Sequence, residues 1–277
     1  MNSPHSHFFG ENPRLHYLEW NVRGSVTAIL MHGISANAWW WGQVIAGLSP
    51  KLRVLALDLR GHGDSEWVRP PAYLPDDHAR DLERFIRGCE LERPIVIGHS
   101  MGGLCALAFA DLYPELMRGL IVIDIAITSS DARDRFLRRL RALPSISYPD
   151  LATAKARFRL IPAEAEVALE ILNAIAGKSL MRTADGGYTL KFDRENFFGG
   201  DGMDVLATIG RLRVPAMMVR GEHSRIMTAE ASARALGANP HMRLEVIPGA
   251  HHHVLLDRPA LLSETINKFI DELERDK

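Results

Sequence analysis

The sequence predicts an α/β protein: a mostly parallel, doubly wound sheet with helical connections and one inserted, mainly helical cap. Three observations point to it. Short apolar runs recur along the chain, several end in a glycine-containing turn, and helical patterns alternate with them. The runs are continuously apolar, which suits strands covered on both faces. The alternation stops between about Thr128 and Leu212 and then resumes, which marks an excursion from one domain.

In order, Arg14–Trp20 is expected as a leading strand at the antiparallel edge of the sheet. Val26–His32 follows as a core strand, then Gly33 and a helix near Ala38–Leu48. Leu52–Leu59 runs into Arg60–Ser65, and an amphipathic helix is expected at about Asp76–Cys89. Pro94–His99 ends at Ser100, and a helix covers about Met101–Leu112. Leu120–Ala126, Val214–Gly221 and Arg243–Ala250 supply the remaining strands. Within the excursion, Asp131–Leu143, Asp150–Leu160 and Ala163–Gly177 read as helices, and Leu180–Phe192 as a hairpin turning at Asp185-Gly186-Gly187. The core is therefore expected over 1–127 and 211–277, and the cap over 128–210.

Composition narrows the partners. With 33 Lys and Arg against 34 Asp and Glu in 277 residues, the chain lacks the basic excess of a duplex-binding protein, so no nucleic-acid partner is expected. Cys89 and Cys105 have no ligand-like spacing and read as reduced, packed thiols, which fits a cytoplasmic setting. The first residues show no basic stretch leading into an apolar run, and no run approaches the roughly 18 apolar residues that span a bilayer, so neither a secretory signal nor a membrane partner is expected.

The strongest chemical signal is Gly98-His99-Ser100-Met101-Gly102, at a strand end and opening a helix. In that setting GxSxG describes a nucleophile elbow: the turn is sharp, and neighbouring backbone comes too close for a Cβ on either flank. A serine hydroxyl needs a base to take its proton, and His251-His252-His253 after the last strand offers three candidates. Three consecutive histidines point in different directions and lack an accompanying ligand pattern, so no metal is expected. An oxyanion hole requires two amide donors. Met101 N–H follows the nucleophile directly, and Ile34 N–H lies in the loop after the Val26–His32 strand.

HGISAN, DLRGHGDS, GHSMGG, VRGEHS and PGAHHHVLLDRP, in this order, resemble the α/β-hydrolase superfamily in its capped branch. The likeness covers about Leu15–Leu273 and is weakest in the cap. It implies an α/β-hydrolase fold and a Ser-His-Asp triad without cofactor, and it selects His252 as the general base, with Pro259 matching the pattern's proline. The sequence departs from the family at the acid. The common position, four residues into Gly221-Glu222-His223-Ser224, holds Ser224. A second family arrangement takes the acid from the end of the preceding core strand, which assigns Asp124 in preference to Glu222. The resemblance also makes Asp58, His62 and Asp64 part of a shaping loop outside the chemistry.

Ser100 in place of an elbow aspartate argues against epoxide hydrolysis and dehalogenation, which need a carboxylate nucleophile. The expected function is a serine hydrolase for a small acyl substrate: ester, lactone, thioester or amide. The resemblance also admits cleavage of carbon–carbon bonds or enamide-type acids from ring breakdown, and a non-catalytic receptor on the same fold. Of Trp39-Trp40-Trp41, at least one is expected in the core, and Trp39 or Trp40 is expected to wall the substrate pocket. Arg157, Arg159 and Arg182 in the cap are candidates for a substrate carboxylate, although solvated helix faces account for them better.

Overall fold

A computed structural model describes residues 3–128, 131–165, 167–197 and 203–275. Its sheet contains β1 (His5–Phe9), β2 (Leu15–Trp20), β3 (Val26–Met31), β4 (Leu52–Leu57), β5 (Ile95–His99) and β6 (Gly119–Ile123). A small hairpin, β7 (Leu180–Arg182) and β8 (Tyr188–Leu190), lies in the excursion, and β9 (Ala216–Gly221) and β10 (Arg243–Ile247) complete the sheet. The eight strands run in the order β1-β2-β4-β3-β5-β6-β9-β10. β1 and β2 join antiparallel, as do β2 and β4, and the other pairs from β4 to β10 are parallel.

Alternation of apolar side chains across each strand builds two cores. Ala28 and Leu30 face one side, with Ile97, Ile121 and Val219; Ile29 and Met31 face the other, with Val96, Val122 and Met218. The first side is covered by α1 (Gly42–Ala46) and by the helical residues Val254–Asp257 and Pro259–Arg275 near the C-terminus; the second is covered by α2 (Pro75–Gly88) and α3 (Met101–Leu112). Cys105 is buried in that second core and Cys89 is half-buried; both are free thiols, raised by burial above the usual thiol range.

The excursion carries α4 (Asp131–Ala142), α5 (Leu151–Arg157) and α6 (Leu169–Lys178) before its hairpin. Next come α7 (Val205–Arg211), α8 (Ala229–Ala238), α9 (Val254–Asp257) and α10 (Pro259–Arg275). Among the described residues, no helix is long and apolar enough to cross a membrane.

Four expectations change. The antiparallel edge is β1, and the Leu15–Trp20 strand lies inside it, bonded to β1 and β4. The helix expected from Ala38 begins as a 3-10 turn, Ala38–Trp41, capped by the Asn37 side chain at Trp39 N–H, and only Gly42–Ala46 is α-helical. The helix expected over Ala163–Gly177 begins at Leu169; Glu166, within that expectation, lies outside the described residues. Helix α7 falls almost wholly inside the expected cap interval, yet it buries Ile209 in the second core.

Candidate active site

The sheet delivers Ser100 at the end of β5, and the local backbone gives it its exposure. Its φ of 53° and ψ of −119° lie where a Cβ is strained, and its N–H is tied to Ile123 O at 2.9 Å. A Cβ on Gly98 would sit 2.3 Å from Gly102 O, and one on Gly102 would sit 2.4 Å from His32 O. The flanking glycines are therefore required by close backbone approach on both sides of the serine.

Two other loops bring their side chains to it. Ser100 Oγ donates to His252 Nε2 at 3.0 Å, and His252 Nδ1–H donates to Asp124 Oδ1 at 2.8 Å. Asp124 directly follows β6, is fully buried, and also sits at positive φ, 49°. It accepts Gly221 N–H on Oδ2 at 2.8 Å and the Ser224 hydroxyl on Oδ1 at 2.5 Å. A buried carboxylate is costly unless its oxygens are satisfied, and here three donors converge on it. Glu222, the alternative acid, is half-exposed and accepts Gly249 N–H at 2.8 Å, away from His252. Ser224, which occupies the family's usual acid position, is thus a donor to Asp124 and in turn accepts the N–H groups of Ile226 and Met227.

The oxyanion-hole candidates, Ile34 and Met101, both line the cavity at Ser100. Met101 opens α3, so its N–H has no intrahelical acceptor. Ile34 follows the His32-Gly33 turn, whose shape two buried histidines hold. His32 Nδ1–H donates to Gly33 O at 2.7 Å while its Nε2 accepts Leu59 N–H at 3.0 Å. His62 Nε2 accepts Ser35 N–H at 3.2 Å while its Nδ1–H donates to Arg60 O. Burial lowers the pKa of both rings and keeps them neutral, as an accepting nitrogen requires. Asp58 accepts Ala38 N–H, Asp64 N–H and His16 Nδ1–H; burial pushes its carboxyl up, but these partners hold it below the usual range.

Two further histidines act as braces. His99 Nε2–H donates to His252 O at 2.9 Å, and His253 Nε2–H donates to Pro162 O at 2.9 Å, tying the histidine loop to the cap. Neither the brace from His99, inside the elbow motif, nor the cap contact of His253 has a signal in the sequence. His251 N–H binds Asp257 Oδ2 at 2.8 Å. Nitrogens of His99, His252 and His253 lie within 4.8 Å of one another. A cation held there by His252 would displace its bond to Ser100 or Asp124, since both of its ring nitrogens are engaged.

Two buried histidines, His253 and His78 of α2, carry a pH consequence. Burial, with Arg60 near His78 and His252 near His253, lowers the pKa of each ring to about 3. In the unfolded chain each takes its proton near pH 6.5. The unfolded state therefore binds more protons between about pH 6.5 and 3, and stability falls as pH falls through that window. Each group contributes a slope of up to about 1.4 kcal/mol per pH unit. Thermal unfolding followed from pH 7 to 4 is expected to show a steep acid loss that a His78→Phe variant makes shallower; equal slopes in the two proteins contradict this account.

Above Ser100, Met101 and His252 opens a cavity of about 730 Å³ between core and cap, within the usual size for small-molecule sites. Ile34 and Leu104 wall it from the core, and Phe136, Leu137 and Leu160 from the cap. Neither Trp39 nor Trp40 is on its wall, which corrects the pocket role expected of them. Trp40 is buried against the first core, edge-on to Phe158 at 6.4 Å, with Nε1 3.4 Å from Ser179 Oγ. It anchors the cap instead, beside Asn37, whose side-chain amide donates to the same hydroxyl at 3.0 Å. Trp39 packs under Lys178 Nζ at 4.0 Å, a cation–π contact. Arg157, Arg159 and Arg182 are also off the wall; among the described residues, the arginine that lines it is Arg133.

The chain belongs to the alpha/beta hydrolase fold family, whose model matches residues 28–259, and it is a hydrolytic enzyme. It is similar to the 2-(acetamidomethylene)succinate hydrolase of Mesorhizobium japonicum, with 28% identity over 277 residues covering 96% of each chain. A crystal structure of E-2-(acetamidomethylene)succinate hydrolase superposes with a TM-score of 0.84 at 26% identity, covering 97% of this chain and 99% of that one. An esterase of Mycobacterium tuberculosis is 26% identical over 247 residues, 88% of this chain and 82% of the esterase; its structure gives a TM-score of 0.82 at 25% identity, covering 98% and 92%.

Proposed function

We propose that the chain is a serine hydrolase that cleaves a small carboxylic ester or related acyl compound through Ser100, His252 and Asp124. The observation that carries this reading is the continuous line from Ser100 Oγ through His252 to Asp124, with separations of 3.0 and 2.8 Å, at the floor of the cavity. Ser100 Oγ attacks the carbonyl carbon as His252 Nε2 takes its proton, and Asp124 stabilises the imidazolium and holds its tautomer. The tetrahedral oxyanion receives the N–H groups of Ile34 and Met101. Its collapse expels the leaving group with the proton from His252, and water activated by the same ring hydrolyses the acyl-enzyme. A receptor role gains nothing from so strained and aligned a serine. Cleavage of an enamide-type acid is the second reading, favoured by the likeness to the acetamidomethylene succinate hydrolase.

Incubation of the folded protein with a fluorophosphonate is expected to label Ser100, as read by peptide mass spectrometry. No adduct on folded protein would overturn the serine-hydrolase reading.

A further inference from the structure

We infer that the site takes an uncharged acyl group with an apolar chain, as a medium-chain ester or thioester, and discriminates against acyl groups that carry a carboxylate. This rests on the hydrolase reading above and concerns which substrates the same serine attacks. The wall around Ser100 is mostly hydrocarbon, from Ile34 and Leu104 below to Leu137, Leu160 and Phe197 above.

Its formal charges cancel. Among the described lining residues, Arg133 is the one Lys or Arg, and Asp204 on the same wall carries the opposite sign. Arg133 Nη2 also lies 3.7 Å from Asp134 Oδ1. The remaining arginines of α4, at positions 135, 138, 139 and 141, are exposed to solvent and off the wall. Residues 129–130 and 198–202, outside the described structure, include no Lys or Arg and one acid, Asp201.

A succinate derivative brings two carboxylates, and a site for it needs cations or several donors to replace their hydration. Among the described lining residues, the other polar side chains besides Ser100 and His252 are Thr128 and Asn196, and the Asn196 amide already donates to Asp193 O, so one cation, one acid and these two do not provide them. An apolar acyl chain loses only ordered water on entering, and each methylene it buries is favourable. A cavity of about 730 Å³ also has room well beyond an acetyl group. Likeness of fold to an acetamidomethylene succinate hydrolase therefore does not carry its substrate charge over to this wall.

The test compares kcat/KM for p-nitrophenyl acetate, p-nitrophenyl hexanoate and the mono-p-nitrophenyl ester of adipic acid, whose six-carbon chain ends in a carboxylate. Hexanoate is expected to exceed the adipate monoester by about a hundredfold and acetate by at least about tenfold. Leu137→Arg, which adds a cation to the wall, is expected to narrow the hexanoate-to-adipate ratio about tenfold. An adipate monoester cleaved as fast as hexanoate overturns the inference, as does hydrolysis of 2-(acetamidomethylene)succinate with a kcat/KM matching that of hexanoate. If Ser100 is labelled by fluorophosphonate while the charged ester is preferred, the inference fails alone. If no ester is cleaved and Ser100 is not labelled, the hydrolase reading fails with it.

Discussion

Ser100→Ala is expected to lower kcat toward p-nitrophenyl esters by about five to six orders of magnitude while KM changes little. The hydroxyl is the only group removed, and the rest of the site does not depend on it. His252 keeps Asp124 and the brace from His99, and the cavity wall keeps its shape. Steady-state kinetics beside fluorophosphonate labelling check the prediction, with both signals lost together. Stability supplies an independent readout. Ser100 carries its Cβ at φ 53°, so Ser100→Ala retains the backbone strain, whereas Ser100→Gly sheds it. The glycine variant is expected to be as inactive as the alanine variant but to melt higher. Activity retained in either variant contradicts the nucleophile assignment.

Much of the frame is legible because parallel strands buried on both faces leave an unmistakable apolar run. Val26–Met31, Ile95–His99 and Ala216–Gly221 fall inside the intervals their residues predict. The first strand is not legible, since His5-Ser6-His7 has no such run and gains its place by pairing with Leu18–Glu19 and Tyr17. Helix α7 reads as cap because the apolar alternation has not yet resumed there, although Ile209 belongs to the core. At Ala163–Ala165, local helical preference yields to tertiary placement: the chain is tied through Pro162 O to His253 before α6 begins.

The site divides in the same way. Ser100 and Asp124 are legible as residue types directly after strands, and His252 in the loop that follows the last one, because the loops at strand ends are where a parallel sheet presents chemistry. What the neighbours do is not. Trp40 reads as a pocket wall because an aromatic near an oxyanion loop is often one, but its indole N–H and its ring are used to hold the cap through Ser179 and Phe158. The far side of the wall comes in part from α4 and from the loop around Leu160, where no motif marks it. Ser224 reads as a missing acid and is a hydroxyl donor to the acid; two backbone amides on its own oxygen orient it.

Asp124→Asn is expected to reduce kcat by about four orders of magnitude, and Glu222→Gln by less than about threefold. The asparagine would still fill the space, but its amide would present either a donor or a neutral acceptor to His252 Nδ1. In the first case the ring takes the wrong tautomer and Nε2 carries the proton it should accept; in the second the imidazolium loses its counter-charge. Ser224→Ala removes one of the three donors that hold the carboxylate, and an intermediate loss of about ten- to a hundredfold is expected, from a charge-assisted hydrogen bond of about 1.5–3 kcal/mol. The double variant Asp124→Asn with Ser224→Asp moves the negative charge to the end of β9, about one hydrogen-bond length from its original place. Kinetics on the four proteins separate charge from position. Partial recovery in the double variant is expected if the site needs a carboxylate facing His252 from either strand end. Full activity in Asp124→Asn with collapse in Glu222→Gln would reverse the assignment of the acid.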